Sequence, residues 1–181
     1  MNFEIQRTLT QIKDTVAKTD RMLIRRIRLV TLFMILAIAF SGITAVPVEW
    51  ELKVAIQHLE SYPDPLRTWL LAVNEGVTHA GGNYPFLLYG NDWLAFGHIV
   101  IAMGFIGLLK EPIRNAWLAD WGIMACLAVI PTAFLMGWYR EIPLFWRLID
   151  CSFGVFGLLP LLYLKSLITQ LNQVTNKTKI Q

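Results

Sequence analysis

Charged residues are scarce in this chain, and their scarcity argues against a water-soluble domain. Of its 181 residues, 16% are charged and 55% are hydrophobic, whereas soluble domains carry about 25% charge. Thiols are scarcer still: Cys126 and Cys151 both stand in apolar runs, without CxxC spacing. We therefore expect neither a disulfide framework nor a thiol redox motif. Of the three histidines only His98 falls in an apolar run, so a haem held by two axial histidines is not expected either.

Long apolar runs are what the sequence has in abundance. The first, "LVTLFMILAIAFSGITAV", contains no charge in 18 residues. At a rise of about 1.5 Å per residue, helices of this length cross a hydrocarbon core of about 30 Å. Because backbone polar groups in lipid must pair internally, the runs are predicted to be helices rather than strands. The predicted transmembrane helices cover residues 29–46, 93–109, 116–138 and 145–164.

The basic residues are distributed unevenly about these four helices. Twelve of the sixteen lie on one side of the membrane, seven of them before residue 29, and four lie on the other side. The positive-inside rule makes the richer side cytoplasmic. It predicts a multi-pass protein of a bacterial cytoplasmic (inner) membrane with both termini in the cytoplasm. The cytoplasmic segments are then residues 1–28, 110–115 and 165–181, and the extracytoplasmic segments are residues 47–92 and 139–144.

The cytoplasmic leader, residues 1–28, is amphipathic. Its apolar residues form a heptad-like stripe with basic residues opposite. We favour an amphipathic helix that lies on the anionic inner leaflet and runs into the first span. A coiled coil or a partner-binding helix is the other interpretation. The stripe consists of Ile5, Leu9, Ile12, Val16, Leu23, Ile27 and Val30.

The loop of residues 47–92 is acidic and rich in Trp, Leu, Val and Tyr. The stretch "VEWELKVAIQHLESY" predicts an amphipathic helix that ends at "PDP". The stretch "PLRTWLLAVNEGVTHAGG" predicts a second helix, with Pro65 near its start and Gly81 or Gly82 at its end. The loop is too short to bury a core of its own, so we expect an extracytoplasmic helical cap resting on the spans.

Two ionisable residues within the spans are the first candidates for function, because such residues are costly in lipid. His98 follows Trp93 by five residues, and Asp150 follows Trp146 by four. Both side chains are therefore expected at similar depths below the same membrane surface. Asp150 also shares a face with Gly154 and Gly157, which would let a neighbouring helix approach closely. We predict that His98 and Asp150 face each other, as an interhelical hydrogen bond or as a proton-handling or substrate-binding site.

A second group of polar residues lies in the outer loop. Glu75 and His79 are four residues apart on one helix face, and Asp92 closes the loop. Imidazole and carboxylate groups bind Zn²⁺ or iron, which makes His79, His98 and Asp150 weak metal candidates. No HExxH, ExxH or HxH motif accompanies them. We therefore expect no cofactor, and Glu75 and His79 are interpreted as residues of the wet surface.

The stretches "DWLAFGHIVIAMGFIGLLKEPIRN", "ACLAVIP" and "RLIDCSFGVFGLLPL" resemble a group of small four-span bacterial inner-membrane proteins that have no assigned function. The resemblance covers spans two to four and implies a bacterial, four-span protein without implying an activity.

The fold class predicted from these observations is an all-α four-helix transmembrane bundle with a helical cap and an amphipathic leader. The favoured function is a non-enzymatic membrane component, a partner-binding or small-solute-handling subunit. Its partners would be the lipid bilayer and a homo-oligomer or another membrane protein; nothing predicts nucleic acid, since the basic leader is explained by orientation. The alternative is a membrane enzyme with an outer-facing proton-transfer or metal site around His98 and Asp150.

Overall fold

The structure is a computed structural model. It describes the backbone of residues 2–180, and the side chains of these residues except at positions 2–5, 8–10, 12–14 and 177–180. No strand occurs in this part of the chain. The helices are α1 (Asn2–Ala45), α2 (Val48–Ile56), α3 (Asp64–Asn83), α4 (Pro85–Gly104), α5 (Ile106–Lys110), α6 (Trp117–Tyr139) and α7 (Leu144–Ile180), with one 3₁₀ turn at Leu59–Ser61.

Four helical segments within the described residues are long and apolar enough to cross a membrane. They are Thr15–Ala45, Pro85–Lys110, Trp117–Tyr139 and Leu144–Asn176. The predicted all-α, four-span fold is thus confirmed. Helices α1 and α7 extend well beyond the apolar runs, because the chain has no glycine before Gly42 and neither glycine nor proline after Pro160 to end them.

The chain forms two compact units. Unit 1 comprises Met1–Met34 and Gly104–Gln181, and unit 2 comprises Ile35–Met103. The boundary passes through α1 and next to the end of α4, and the described part of each unit consists of helices joined by short turns.

Helices α6 and α7 form an antiparallel hairpin in unit 1. A Cβ placed on Gly154 of α7 would stand 2.6 Å from the carbonyl oxygen of Cys126, and one on Gly157 would stand 2.9 Å from the Cys126 Sγ atom. The hairpin can pack this closely only because both residues lack a side chain. The predicted glycine strip therefore does pack against a helix, and that helix is α6.

Arg147 stabilises the turn that joins α6 to α7. Its Nε atom donates a hydrogen bond of 2.6 Å to the carbonyl of Ile142. A Cβ on Gly137 would stand 2.7 Å from the Cγ and Cδ atoms of Arg147, so the arginine stem covers this glycine. Glu141 in the turn has a φ of 56°, in the left-handed region. The turn is thus fixed by a side chain of α7 that reaches back to it.

The leader packs within unit 1 through one face of α1. Leu23, Ile27, Thr31 and Met34 are all buried, at helical spacing. A cavity of about 450 Å³ lined by Asp20 of α1 and by Leu171 and Thr175 of α7, among others, shows that the two helices are neighbours.

The apolar stripe of the leader is covered by protein from Leu23 onward. Leu23 is 7% exposed and Ile27 is fully buried, so this part of the stripe is not free to contact lipid. The placement of the leader on the inner leaflet stays a prediction. The earlier stripe residues Ile5, Leu9 and Ile12 have side chains outside the described residues.

Unit 2 contains the predicted helical cap. Helices α2 and α3 pack against each other, with Leu52 and Leu70 buried. Arg67 stabilises the turn between them, because its Nε atom donates a hydrogen bond of 3.1 Å to the carbonyl of Leu59. Helix α4 begins at Pro85, eight residues before the predicted span, so the loop contains the first two turns of this helix. Asn91 joins α4 to α1 by donating a 2.5 Å hydrogen bond to the carbonyl of Ala45.

Candidate functional site

His98 lies in unit 2, on a face of α4 that packs against α1. Ala95 and Ala102, one turn to either side, are buried. A Cβ on Gly42 of α1 would stand 2.7 Å from the Cβ of His98 and 2.7 Å from the carbonyl oxygen of Ala95. The Nδ1 atom of His98 lies 2.9 Å from the carbonyl oxygen of Leu94, one turn earlier. In the tautomer that donates this bond, Nε2 is the ring nitrogen left to accept a proton.

Asp150 lies in unit 1 and lines a groove of about 600 Å³ beside α6, here called the α6–α7 groove. The floor of the groove is a face of α6 made mostly of small residues, and the charges are found toward the α6–α7 turn. The lining residues are Ala125, Ala128, Val129, Thr132, Ala133, Met136, Gly137, Arg140, Ile142 and Asp150.

The α6–α7 groove carries one charge of each sign. Arg140 lies with its guanidinium carbon 5.3 Å from the centre of the Tyr139 ring. The ion pairs found among the described residues include neither Arg140 nor Asp150. A carboxylate within a candidate span and a guanidinium just past the end of α6 thus line the same groove without forming an ion pair with each other.

The structure places His98 and Asp150 in different compact units. The His98 face of α4 is covered by α1, and the Asp150 face of α7 is packed on α6 at Gly154. Each face therefore has a neighbouring helix in its own unit. The contact between His98 and Asp150 stays a prediction.

The outer candidates Glu75, His79 and Asp92 belong to unit 2. Glu75 and His79 are exposed on α3, and the His79 Nδ1 atom lies 3.3 Å from Asn83 Nδ2. Asp92 lies on α4 beside Trp93, in a shallow depression. Nowhere in the described chain do three or more His, Cys, Asp or Glu residues form a group that could hold a metal ion. No ligand set therefore supports the weak metal candidates.

A second groove in unit 1 has an apolar surface bordered by three arginines and is here called the arginine groove. It has a volume of about 480 Å³ and is lined by residues of α1 together with Leu109 of α5. Arg28 donates a hydrogen bond of 3.3 Å from Nε to the carbonyl of Leu109, which holds its side chain across the groove. The lining residues are Arg21, Ile24, Arg25, Arg28, Leu29, Leu32 and Leu109.

Sequence reasoning missed both grooves, although each has a signal in the sequence. Arg21, Arg25 and Arg28 are spaced by four and three residues, which places them on one helix face. The sequence pattern predicts them as part of the basic face of an amphipathic helix, but it does not predict a groove. Ala125, Ala133 and their neighbours repeat at helical spacing along α6. This second small-residue face was not among the predicted candidates.

The fold and the two grooves define an all-α, multi-pass membrane protein whose helices carry close-packing faces and a basic cluster. Comparison of the chain with protein-family models, with curated proteins and with solved structures finds no match.

Proposed function

We propose that this protein is a non-enzymatic component of a bacterial inner membrane that associates through the α6–α7 groove with a second copy of itself. The observation that carries the proposal is the combination of a small-residue floor with two opposite, mutually unpaired charges, Arg140 and Asp150. The resemblance to small four-span bacterial proteins and the distribution of basic residues support the membrane and the orientation, with both termini cytoplasmic.

The shape of the groove favours a helix as its occupant over a small solute. The lining residues extend from Ala125 to Arg140 along α6, a distance of about 22 Å at the helical rise. Small side chains along such a face let a second backbone approach closely, and this packing drives helix association in lipid. The other small-residue face of unit 1, at Gly154 and Gly157, is already covered by α6. The α6–α7 groove therefore offers an open small-residue face of unit 1 that supports association with another chain.

The charges favour a second copy as the partner. In a two-fold symmetric interface, residue i of one copy meets residue j of the other, and the reverse contact occurs as well. Arg140 of one copy would then pair with Asp150 of the other, twice. Asp150, which lies within a candidate span, would gain an opposite partner where an unpaired charge is costly.

Charge reversal tests the proposal on the purified full-length protein in neutral detergent. We expect Arg140→Asp and Asp150→Arg each to weaken self-association by about tenfold or more, since each creates like-charge pairs. An equal mixture of the two variants should associate, because each interface pair is again of opposite sign. Sedimentation equilibrium measures all three dissociation constants.

Glu141→Arg is the matched control, since Glu141 is an exposed, charged neighbour of Arg140 that does not line the groove. It should leave self-association unchanged. The milder variants Arg140→Gln and Asp150→Asn should weaken association in the same direction if a reversed charge prevents folding. A protein that is monomeric at every concentration, or a mixture of variants that associates no better than either alone, contradicts the proposal. So does a metal present in stoichiometric amount in the purified protein, which would instead support the enzyme alternative.

A further inference from the structure

The arginine groove has two chemically different ends. Arg21, Arg25 and Arg28 form the basic end, and each is exposed. Leu29, Leu32 and Leu109 form the apolar end, with Leu29 and Leu32 being 57% and 44% exposed. The groove thus has an apolar surface, and the exposed guanidinium groups stand at its border.

The position of the groove along α1 matches the boundary between headgroups and hydrocarbon. Arg28 immediately precedes the first apolar run, whose first residue is Leu29. The arginines therefore lie at the depth of lipid phosphates, and the leucines lie at the depth of the acyl chains. The groove lies at this boundary in either orientation of the protein in the membrane.

The guanidinium groups have hydrogen-bonding capacity left for a ligand. Arg28 and Arg21 each use Nε to bond a backbone carbonyl, of Leu109 and Ala17 respectively. A guanidinium has five N–H donors, so these bonds orient the side chains without saturating them. None of the three arginines forms an ion pair within the described part of the chain. No carboxylate lines the groove.

We propose that the arginine groove binds an anionic phospholipid. The phosphate is held by Arg21, Arg25 and Arg28, whose planar groups match phosphate oxygens in charge and geometry. An acyl chain lies along Leu29, Leu32 and Leu109. Basic pockets between transmembrane helices are a recurring form of headgroup recognition. The assignment is independent of self-association, since the two grooves share no residue.

Lipid affinity at this site should depend on which basic residues line the groove, whereas a general basic leader would act only through its total charge. Under the positive-inside rule, every Lys and Arg near the span contributes alike. In the groove, only the three arginines that line it contribute. Arg26 lies between Arg25 and Arg28 in sequence but does not line the groove, and Lys18 and Arg7, which precede Arg21 along α1, do not line it either.

Native mass spectrometry of the full-length protein tests the proposal. The protein is purified in neutral detergent and exposed to an equal mixture of phosphatidylglycerol and phosphatidylcholine. We expect a bound phosphatidylglycerol in the parent protein. We expect the triple variant Arg21→Gln/Arg25→Gln/Arg28→Gln to reduce its affinity by about tenfold or more.

The triple variant Arg7→Gln/Lys18→Gln/Arg26→Gln is the matched control, because it removes three positive charges from the same helix outside the groove. It should retain the preference for phosphatidylglycerol. The single variant Arg25→Gln, for which no side-chain bond is found, should show a smaller loss and serves if the triple variant does not fold. Circular dichroism checks helix content in each case.

Three outcomes overturn the proposal. If both triple variants lose the lipid equally, the attraction is that of net charge. If neither loses it, the lipid binds elsewhere. If inorganic phosphate at millimolar concentration displaces phosphatidylglycerol, the groove recognises a free anion rather than a lipid.

Discussion

Lys165 of α7 donates a hydrogen bond to the carboxylate of Asp120 of α6, and the two form the ion pair between these helices. The pair lies at the end of the hairpin away from the α6–α7 turn. Both side chains are about half exposed, at 53% and 49%. Because the pair is half exposed rather than buried in protein, its contribution to stability should be limited, like that of a surface ion pair.

We expect Lys165→Met and Asp120→Asn each to lower the free energy of unfolding by no more than about 1 kcal/mol. The double variant should cost less than the two single variants added together, because both remove the same interaction. Unfolding by titration with a denaturing detergent measures the three changes. Strict additivity would show that the two side chains are not coupled.

Replacing Gly154 or Gly157 of α7 by alanine should lower stability, and a second substitution at Cys126 should restore it at only one of the two positions. Gly154→Ala places a methyl group against the carbonyl oxygen of Cys126, and Gly157→Ala places one against its Sγ atom. Each should destabilise the hairpin by about 1 to 3 kcal/mol through overpacking. Cys126→Ala removes the sulfur but leaves the carbonyl, so it should restore stability to Gly157→Ala and not to Gly154→Ala.

Gly90→Ala is the control for these variants. Nothing lies within 4 Å of a Cβ at this helical position, so alanine should be neutral or stabilise by up to about 1 kcal/mol. Detergent unfolding midpoints compare the variants. If Cys126→Ala restores both glycine variants equally, α6 and α7 do not cross in the way the structure describes.

The sequence predicts the helices of this protein well, but it predicts only some of the contacts between them. The four spans follow from hydropathy, which depends only on composition along the chain. The turn between α2 and α3 follows from Pro63 and Pro65. The packing of the Gly154 and Gly157 face against a helix is predicted correctly, because a helix face without side chains lets a neighbouring backbone approach closely.

The proposed partner of Asp150 illustrates what the sequence leaves open. Depth in the membrane can be counted from Trp146, but the rotation of α7 about its axis depends on which helix packs against it. Gly154 directs that face toward α6, the helix that precedes it in sequence. The arginine groove was missed for a related reason, since a charge count ignores which face of α1 each residue occupies.

Orientation gives a further prediction. Cysteine introduced at Glu60 and at Lys177, one at a time in a protein whose two native cysteines are replaced by alanine, should react with an impermeant maleimide from opposite sides of the membrane. The reason is the unequal distribution of basic residues. Labelling of intact cells and of inverted vesicles provides the two sides. Reaction of both positions from the same side would contradict the proposed topology.

The contacts of the α6–α7 hairpin also bear on the order in which the protein is made. Arg147 closes the hairpin at the turn, Gly154 lets the helices touch in the middle, and Lys165 joins them at the far end. All of these contacts form between two helices that are neighbours in sequence. Helices that are inserted one by one associate afterwards within the bilayer. The two spans of the hairpin can therefore pair with each other as soon as both are inserted, without waiting for a contact from a distant part of the chain.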